Sequence, residues 1–250
     1  MKLTNLVLHL LIIIIIIIIL VISIKVNAGD NNPVYSPCED TTVQKFDGFS
    51  LGIAFATDKK SFFLNNNESV QLSPCDKRLS LSTNSRFTLF RPKVDEISLL
   101  TVDSSSLSSI TGGGYMVAFA GLKYAARSPP ALVADGSHIV TSFTLILEYK
   151  QGQLQNVFWK NDGCASCKGN KNANIVCLKD QGCGIKLSDC KSQGGSVDCS
   201  LGIQVAFSGT DKHYSVLNSW YEVENLRQYS LVGLYSDLRQ SLTDQFNNFF

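Results

Sequence analysis

The chain has 250 residues, of which 22 are basic and 21 acidic, with 44% hydrophobic residues, 8 cysteines and only 3 histidines. The near balance of charge excludes the basic footprint of a nucleic-acid-binding protein or of one held on an anionic membrane surface. Length and hydrophobic content suit one folded domain with a sizeable core rather than a disordered chain.

Residues 1–28 read as an export signal. Lys2 precedes an apolar run over 6–24 whose only polar members are His9 and Ser23, and the small residues Val26 and Ala28 stand where a signal peptidase needs them, so cleavage would leave a chain starting at Gly29. The run is 19 residues long, longer than a usual signal core and long enough to cross a bilayer, so the alternative is an uncleaved signal anchor. Either way, residues 29–250 are expected to form a single β-rich domain facing the secretory lumen or the outside. The leader holds two of the basic residues and no acidic ones, leaving 20 basic against 21 acidic residues, a net charge near −1. The end of the chain, "SLTDQFNNFF", has neither a lipid-anchor tail nor a KDEL-type signal. The expected location is extracellular, with no membrane contact once the signal is cleaved.

From Thr41 onward, short β-branched and aromatic runs alternate with clusters of Gly, Ser, Asn and Asp. Strands are expected at 49–57, 86–92, 96–102, 115–126, 139–150, 155–160, 200–209 and 214–224. Phe143, Leu145, Leu147 and Tyr149 alternate with Thr144, Ile146, Glu148 and Lys150, the period of two that marks a strand. The pattern predicts a mainly all-β fold, an antiparallel β-sandwich with a disulfide-rich loop insertion and a C-terminal helix. The tripeptide Asn67-Glu68-Ser69 is an acceptor for N-glycosylation. In the tail, Leu226, Tyr229, Gly233, Leu234, Leu238, Leu242 and Phe246 recur at steps of three and four, which predicts an amphipathic helix packed on the sheet.

All eight cysteines follow the leader, at Cys38, Cys75, Cys164, Cys167, Cys177, Cys183, Cys190 and Cys199. An even count in an exported chain reads as a disulfide framework. Cys38 and Cys75 have only each other outside the cluster. The remaining six lie in 164–199, a cysteine-rich insertion with too few large aliphatic residues for a core of its own, and their pairing is open among 15 combinations. "NDGCASCKGN" has C-x-x-C spacing, yet the residues after Cys167 lack the apolar helix that a redox thiolate needs at its amino end. Zinc would require a second close pair at knuckle spacing, and none is present. Structural bridges are the expectation, with no metal and no cofactor.

Catalytic candidates are few. "GFSLG" places Ser50 in a G-x-S-x-G frame, but polar residues precede it and a strand-like run follows, whereas a nucleophile elbow turns from a buried strand into a helix. The bases available to it are His138 and His213, both in turn-like contexts. Glu222 and Glu224, two apart on an expected strand beside Trp220 and Tyr221, would share one face, as glycan hydrolysis by paired carboxylates could use. Trp159, Tyr115 and Tyr124 are candidates for stacking on sugar rings, against the commoner role of aromatics as core. "TGGGYMV" lacks the Lys-Ser/Thr pair of a phosphate loop.

The stretches "LQNVFWKNDGCASCKGN", "VDCSLGIQVAFSGTDKH" and "VLNSWYEVENLRQYSLVGLYSDLRQSL" resemble a plant family of small secreted, cysteine-containing proteins of the Expp type. The resemblance implies an exported plant protein of the apoplast or cell surface, and it carries no residue roles. The functional expectation is a non-catalytic extracellular binding module for a cell-wall glycan or a protein partner. Its rival is a secreted hydrolase acting on ester or glycan through Ser50 with a histidine, or through Glu222 and Glu224.

Overall fold

A computed structural model describes residues 30–64, 68–79, 85–107, 110, 112–160, 164, 167, 175–179 and 182–226. The leader, Asn67 of the sequon and the tail beyond Leu226, with most of its expected helix, lie outside these residues. The described chain is an all-β sandwich. Its first sheet runs in the order β2 (Arg86–Phe90), β1 (Leu51–Ala56), β4 (Gly114–Phe119), β5 (Ala131–Ala134), β6 (His138–Val140), β10 (Gly182–Lys186) and β9 (Ile175–Leu178). The second runs β12 (Val216–Leu217), β11 (Leu201–Thr210), β7 (Ser142–Lys150) and β8 (Gln153–Lys160), with β3 (Ser98–Val102) also paired to β11.

The period of two decides what fills the space between the sheets. Leu145, Leu147 and Tyr149 of β7 meet Leu201, Ile203, Val205 and Phe207 of β11, and across the gap Leu51, Ile53, Phe55, Met116, Ala118 and Val133 complete one buried cluster. β1 is buried along its whole length, because its outer face is covered as well. There Ala54 and Ala56 pack with Val117, Phe119 and Phe62 of the 3-10 turn Lys59–Phe62, beside the Cys38–Cys75 pair. Each fully buried large side chain in these layers contributes about 1.5–3 kcal/mol over leaving it in water.

Three features depart from the sequence pattern. β11 runs parallel to β7, with Gly202 opposite Ser142 and Gly209 opposite Tyr149, while its other pairings are antiparallel. Parallel neighbours need a long crossover, and the chain supplies one by leaving β8 for the other sheet before returning. The cysteine-rich insertion is not a loop: β9 and β10 form a hairpin, and β10 pairs with β6. The few aliphatics of the insertion extend a sheet that already exists, with Leu178 packed on Leu132 and Val140. The strand expected over 214–224 ends at Leu217 and gives way to helix α1 (Ser219–Leu226). The cause is distant in sequence: Asp95 Oδ1 accepts the N–H groups of Asn218 (2.6 Å) and Ser219 (2.8 Å), satisfying donors at the start of the helix.

The disulfides are Cys38–Cys75, Cys164–Cys177, Cys167–Cys183 and Cys190–Cys199, and no described cysteine is free. Cys177 and Cys183 face each other across the hairpin. The two cysteines of the C-x-x-C motif therefore bond outward, one to each strand. Four intramolecular disulfides fit a protein of an oxidising, secretory or extracellular compartment.

Candidate binding surface at the end of the sandwich

The end of the sandwich where β7 and β11 finish and β1 begins is built from loops held together by buried carboxylates. The Val43 N–H donates to the Gly152 carbonyl (2.9 Å) and the Lys212 N–H to the Val43 carbonyl (3.0 Å), joining three segments. Asp47, Asp95 and Asp211 are all buried. Asp211 accepts from the backbone N–H groups of Lys45 (3.0 Å), His213 (2.8 Å) and Ser215 (2.8 Å). Burial pushes its carboxyl up, but the bonds from Lys45, Ser215 and His213 outweigh that and hold it below its ordinary value. Asp47 accepts from Gln44 (3.0 Å) and Asn31 (3.2 Å). Asp95, besides holding the start of α1, pairs with Lys45 Nζ at 2.6 Å.

This framework holds four non-glycine residues in the left-handed region: Phe46 (φ 69°), Asp95 (65°), Gln151 (52°) and Tyr214 (63°). Each such residue costs on the order of 1–3 kcal/mol and persists only where its surroundings enforce it. Two of the residues so held, Phe46 and Tyr214, present apolar surface to water, and neighbouring Val216 is exposed as well. Gln151 Nε2 donates to Tyr214 Oη at 3.0 Å, fixing the ring's outer edge.

On the same end, the segment 30–40 is fastened across the sheet by Arg91, which follows β2. Its Nη2 donates to Asp30 Oδ2 (2.7 Å) and to the Asn32 carbonyl (2.7 Å), and its Nη1 to the Val34 carbonyl (2.7 Å) and to Ser50 Oγ (2.8 Å). The Tyr35 ring lies over this guanidinium at 4.0 Å. In the loop after β4, buried Arg127 donates to the carbonyls of Gln71, Tyr124 and Lys123, and the Tyr124 ring lies over it at 4.3 Å.

The "GFSLG" stretch is explained by this packing. A side chain at Gly48 would put its Cβ 2.5 Å from Asp30 Oδ2 and 2.6 Å from Arg91 Nε, so the glycine makes room for the ion pair. Ser50 donates to the Val34 carbonyl (3.0 Å) while accepting from Arg91. A Cβ at Gly52 would lie 2.3 Å from the Phe119 ring. The motif leads from a loop into β1 rather than from a strand into a helix, so it is not a nucleophile elbow. His138 opens β6 with its ring 2.9 Å from Ser137 Oγ, and exposed His213 sits in the turn closed by Asp211. The Ser50 hydroxyl is engaged by the Val34 carbonyl and Arg91 rather than by a histidine.

Glu222 and Glu224 lie on α1, not on a strand, so their spacing of two no longer puts them on one face. Trp159 donates its indole N–H to the Pro129 carbonyl (3.0 Å) and packs edge-on against Phe143, while Tyr115 is half-buried against the outer cluster; both serve packing. Tyr124 stands out in water. Sequence reasoning passed over Asp47, Asp95 and Arg91, and found in Asp211 only a nearness to His213 that does not make a dyad; the local signal of all four is their place in polar, turn-rich stretches. Among the described residues, no group of three or more His, Cys, Asp or Glu is arranged to hold a metal ion. A depression lined by Asp40, Thr41, Phe49, Lys123 and Gln153, among others, has about 20 Å³ of interior, room for one water. That depression is too small for a ligand larger than water, so the chemistry described at this end is that of its exposed surface.

No curated protein and no solved structure matches the chain. A family model described as Uncharacterised protein DDB_G0273449 matches residues 6–138 and 128–247. Together the two segments take in nearly the whole sequence, and the chain belongs to that family.

Proposed function

We propose that the protein is a non-catalytic extracellular binding module and that its contact surface is the carboxylate-locked end of the sandwich. The observation that carries this reading is the set of strained residues there. Phe46, Gln151 and Tyr214 are held in the left-handed region by a hydrogen-bonded frame, and two of them are aromatic rings turned to water. A fold that spends stability on presenting rigid aromatic surface in loops is organised for contact with something outside itself.

The leader and the four disulfides support export, with release to the exterior after cleavage at Ala28. The resemblance to Expp-type plant proteins adds the apoplast or cell surface as the place of action. Asn67 is proposed to carry a glycan, since Ser69 of its sequon is exposed. The partner is a cell-wall glycan or an extracellular protein. Glycan-array binding and pull-down from wall extract, run with the oxidised mature chain, test the reading. Saturable retention that is lost in the Phe46→Ser, Tyr214→Ala double variant is expected. No retention on either medium, or retention indifferent to the double variant, overturns it.

A further inference from the structure

Tyr35 and Tyr124 share one construction. Tyr35 is 68% exposed and Tyr124 81% exposed, yet each rests one face on a guanidinium, at 4.0 and 4.3 Å. Both arginines are fixed from below. Arg91 is bound to Asp30, Asn32, Val34 and Ser50, and Arg127 to the carbonyls of Gln71, Lys123 and Tyr124. The two rings stand on adjoining segments, since the Gly121 N–H donates to the Pro37 carbonyl at 2.7 Å and Lys123 pairs with Asp40 at 3.5 Å. An exposed tyrosine usually loses rotamer freedom when a ligand settles on it. A ring already seated on a fixed cation has little left to lose, so its open face is preorganised.

The occupied face also selects the ligand. The guanidinium engages the ring's quadrupole, and a second cation on the open face would meet a like charge across the ring, which disfavours ammonium and guanidinium groups. Nor does the rim offer anions a free cation, because the charge of Arg91 is matched by Asp30 at 2.7 Å and that of Lys123 by Asp40 at 3.5 Å, while Arg127, bonded to carbonyls alone, is buried beneath the Tyr124 ring. What suits two flat aromatic faces backed by held guanidinium groups, with the carboxylates of Asp30 and Asp40 beside them, is an uncharged ligand with C–H faces and a hydroxyl rim. We propose that Tyr35 and Tyr124 form a stacking platform for a neutral glycan. The proposal rests on the reading of this end as the binding face and adds to it the ligand class and two further contact residues.

Native affinity gels cast with xyloglucan, mixed-linkage glucan or galactomannan test it on the oxidised mature chain, with polygalacturonate as anionic and chitosan as cationic comparators. Retardation in at least one neutral gel is expected. Tyr35→Ala or Tyr124→Ala should weaken it about tenfold, the weight of one contact hot spot, while Tyr35→Phe and Tyr124→Phe, which keep the ring, should bind as the parent does. Where an alanine variant melts early, Tyr→Leu at the same position keeps bulk without a ring and gives the same reading. Neutral-gel binding unchanged in the double leucine variant overturns the proposal, as does binding confined to the charged polymers or no retardation in any neutral gel. If a protein partner is retained through Phe46 and Tyr214 while every neutral gel is silent, the platform is refuted and the binding face stands. If both assays are silent, both readings fall.

Discussion

The two ends of β7 and β11 are ordered by different physics. Where these strands begin, the chain from Cys164 to Cys199 is tied by three disulfides, two of which join the C-x-x-C turn to facing cysteines of a hairpin. Where they finish, Asp95 and Asp211 accept backbone N–H groups from loops more than 120 residues away, and Asp47 accepts from the nearer Asn31 and Gln44. The first device tolerates a sequence poor in apolar residues, because a covalent link restrains the unfolded chain whatever the folded contacts are worth. The second stabilises only the folded state, and at Asp211 it depends on the carboxylate staying ionised. The difference teaches that the cysteines, the most conspicuous chemistry of the sequence, serve as scaffold. The surface proposed for contact is the end ordered by aspartates.

The comparison can be broken most forcefully at its covalent side. Replacing Cys38 and Cys75, whose bridge adjoins segment 30–40 at the aspartate end, by alanine should cost about 4 kcal/mol in the loop-entropy account, and removing any one bridge of the insertion about 3 kcal/mol, read from urea unfolding midpoints. Next comes Asp95→Ala, which strips two N–H groups at the start of α1 of their acceptor and leaves Lys45 without its partner. It should cost about 2–3 kcal/mol, seen in the same titration.

A milder effect sharpens the comparison through pH. The Asp211 carboxyl lies below its ordinary value of 3.8 in the folded state, burial being outweighed by backbone bonds, and Asp30 is lowered by its bonds to Arg91 and to Gly48 and Asn32 despite its own burial. Groups with depressed folded values contribute fully above the unfolded value, and their contribution is lost as pH falls through the folded one. Melting temperature should therefore hold from neutrality to about pH 4 and fall below it, and Asp211→Asn should flatten that fall. Dithiothreitol at pH 7 should act on the bridges instead, the three of the insertion and Cys38–Cys75 alike. The smallest effect is expected at Glu222→Gln, an exposed position on α1, whose stability should stay within about 0.5 kcal/mol of the parent.

Much of the fold was legible because its information is local. The alternation at Phe143, Leu145, Leu147 and Tyr149 needs no partner to be read, and Cys38 and Cys75 could pair only with each other. What escaped was decided at long range. Whether 214–224 continues as strand or turns into helix depends on Asp95, more than 120 residues away along the chain. The hairpin at Ile175–Leu178 and Gly182–Lys186 is too short and too rich in glycine and cysteine to show a period, and it gains its apolar partners from β5 and β6. The frame around Ser50 was hidden for the same reason: a G-x-S-x-G reading sees the serine, whereas its meaning lies in Arg91, Asp30 and Phe119, which approach from other segments. Aspartates in turns look alike in sequence, and only the fold separates those that hold loops together from those facing water.

The central claim, that the C-x-x-C pair is scaffold bonded outward to the hairpin, is tested most directly by mapping the disulfides of the unreduced protein by peptide mass spectrometry. The account predicts peptides linked through Cys164–Cys177 and Cys167–Cys183 and no free thiol. A Cys164–Cys167 link, or the two recovered as thiols or bound to zinc, would contradict it.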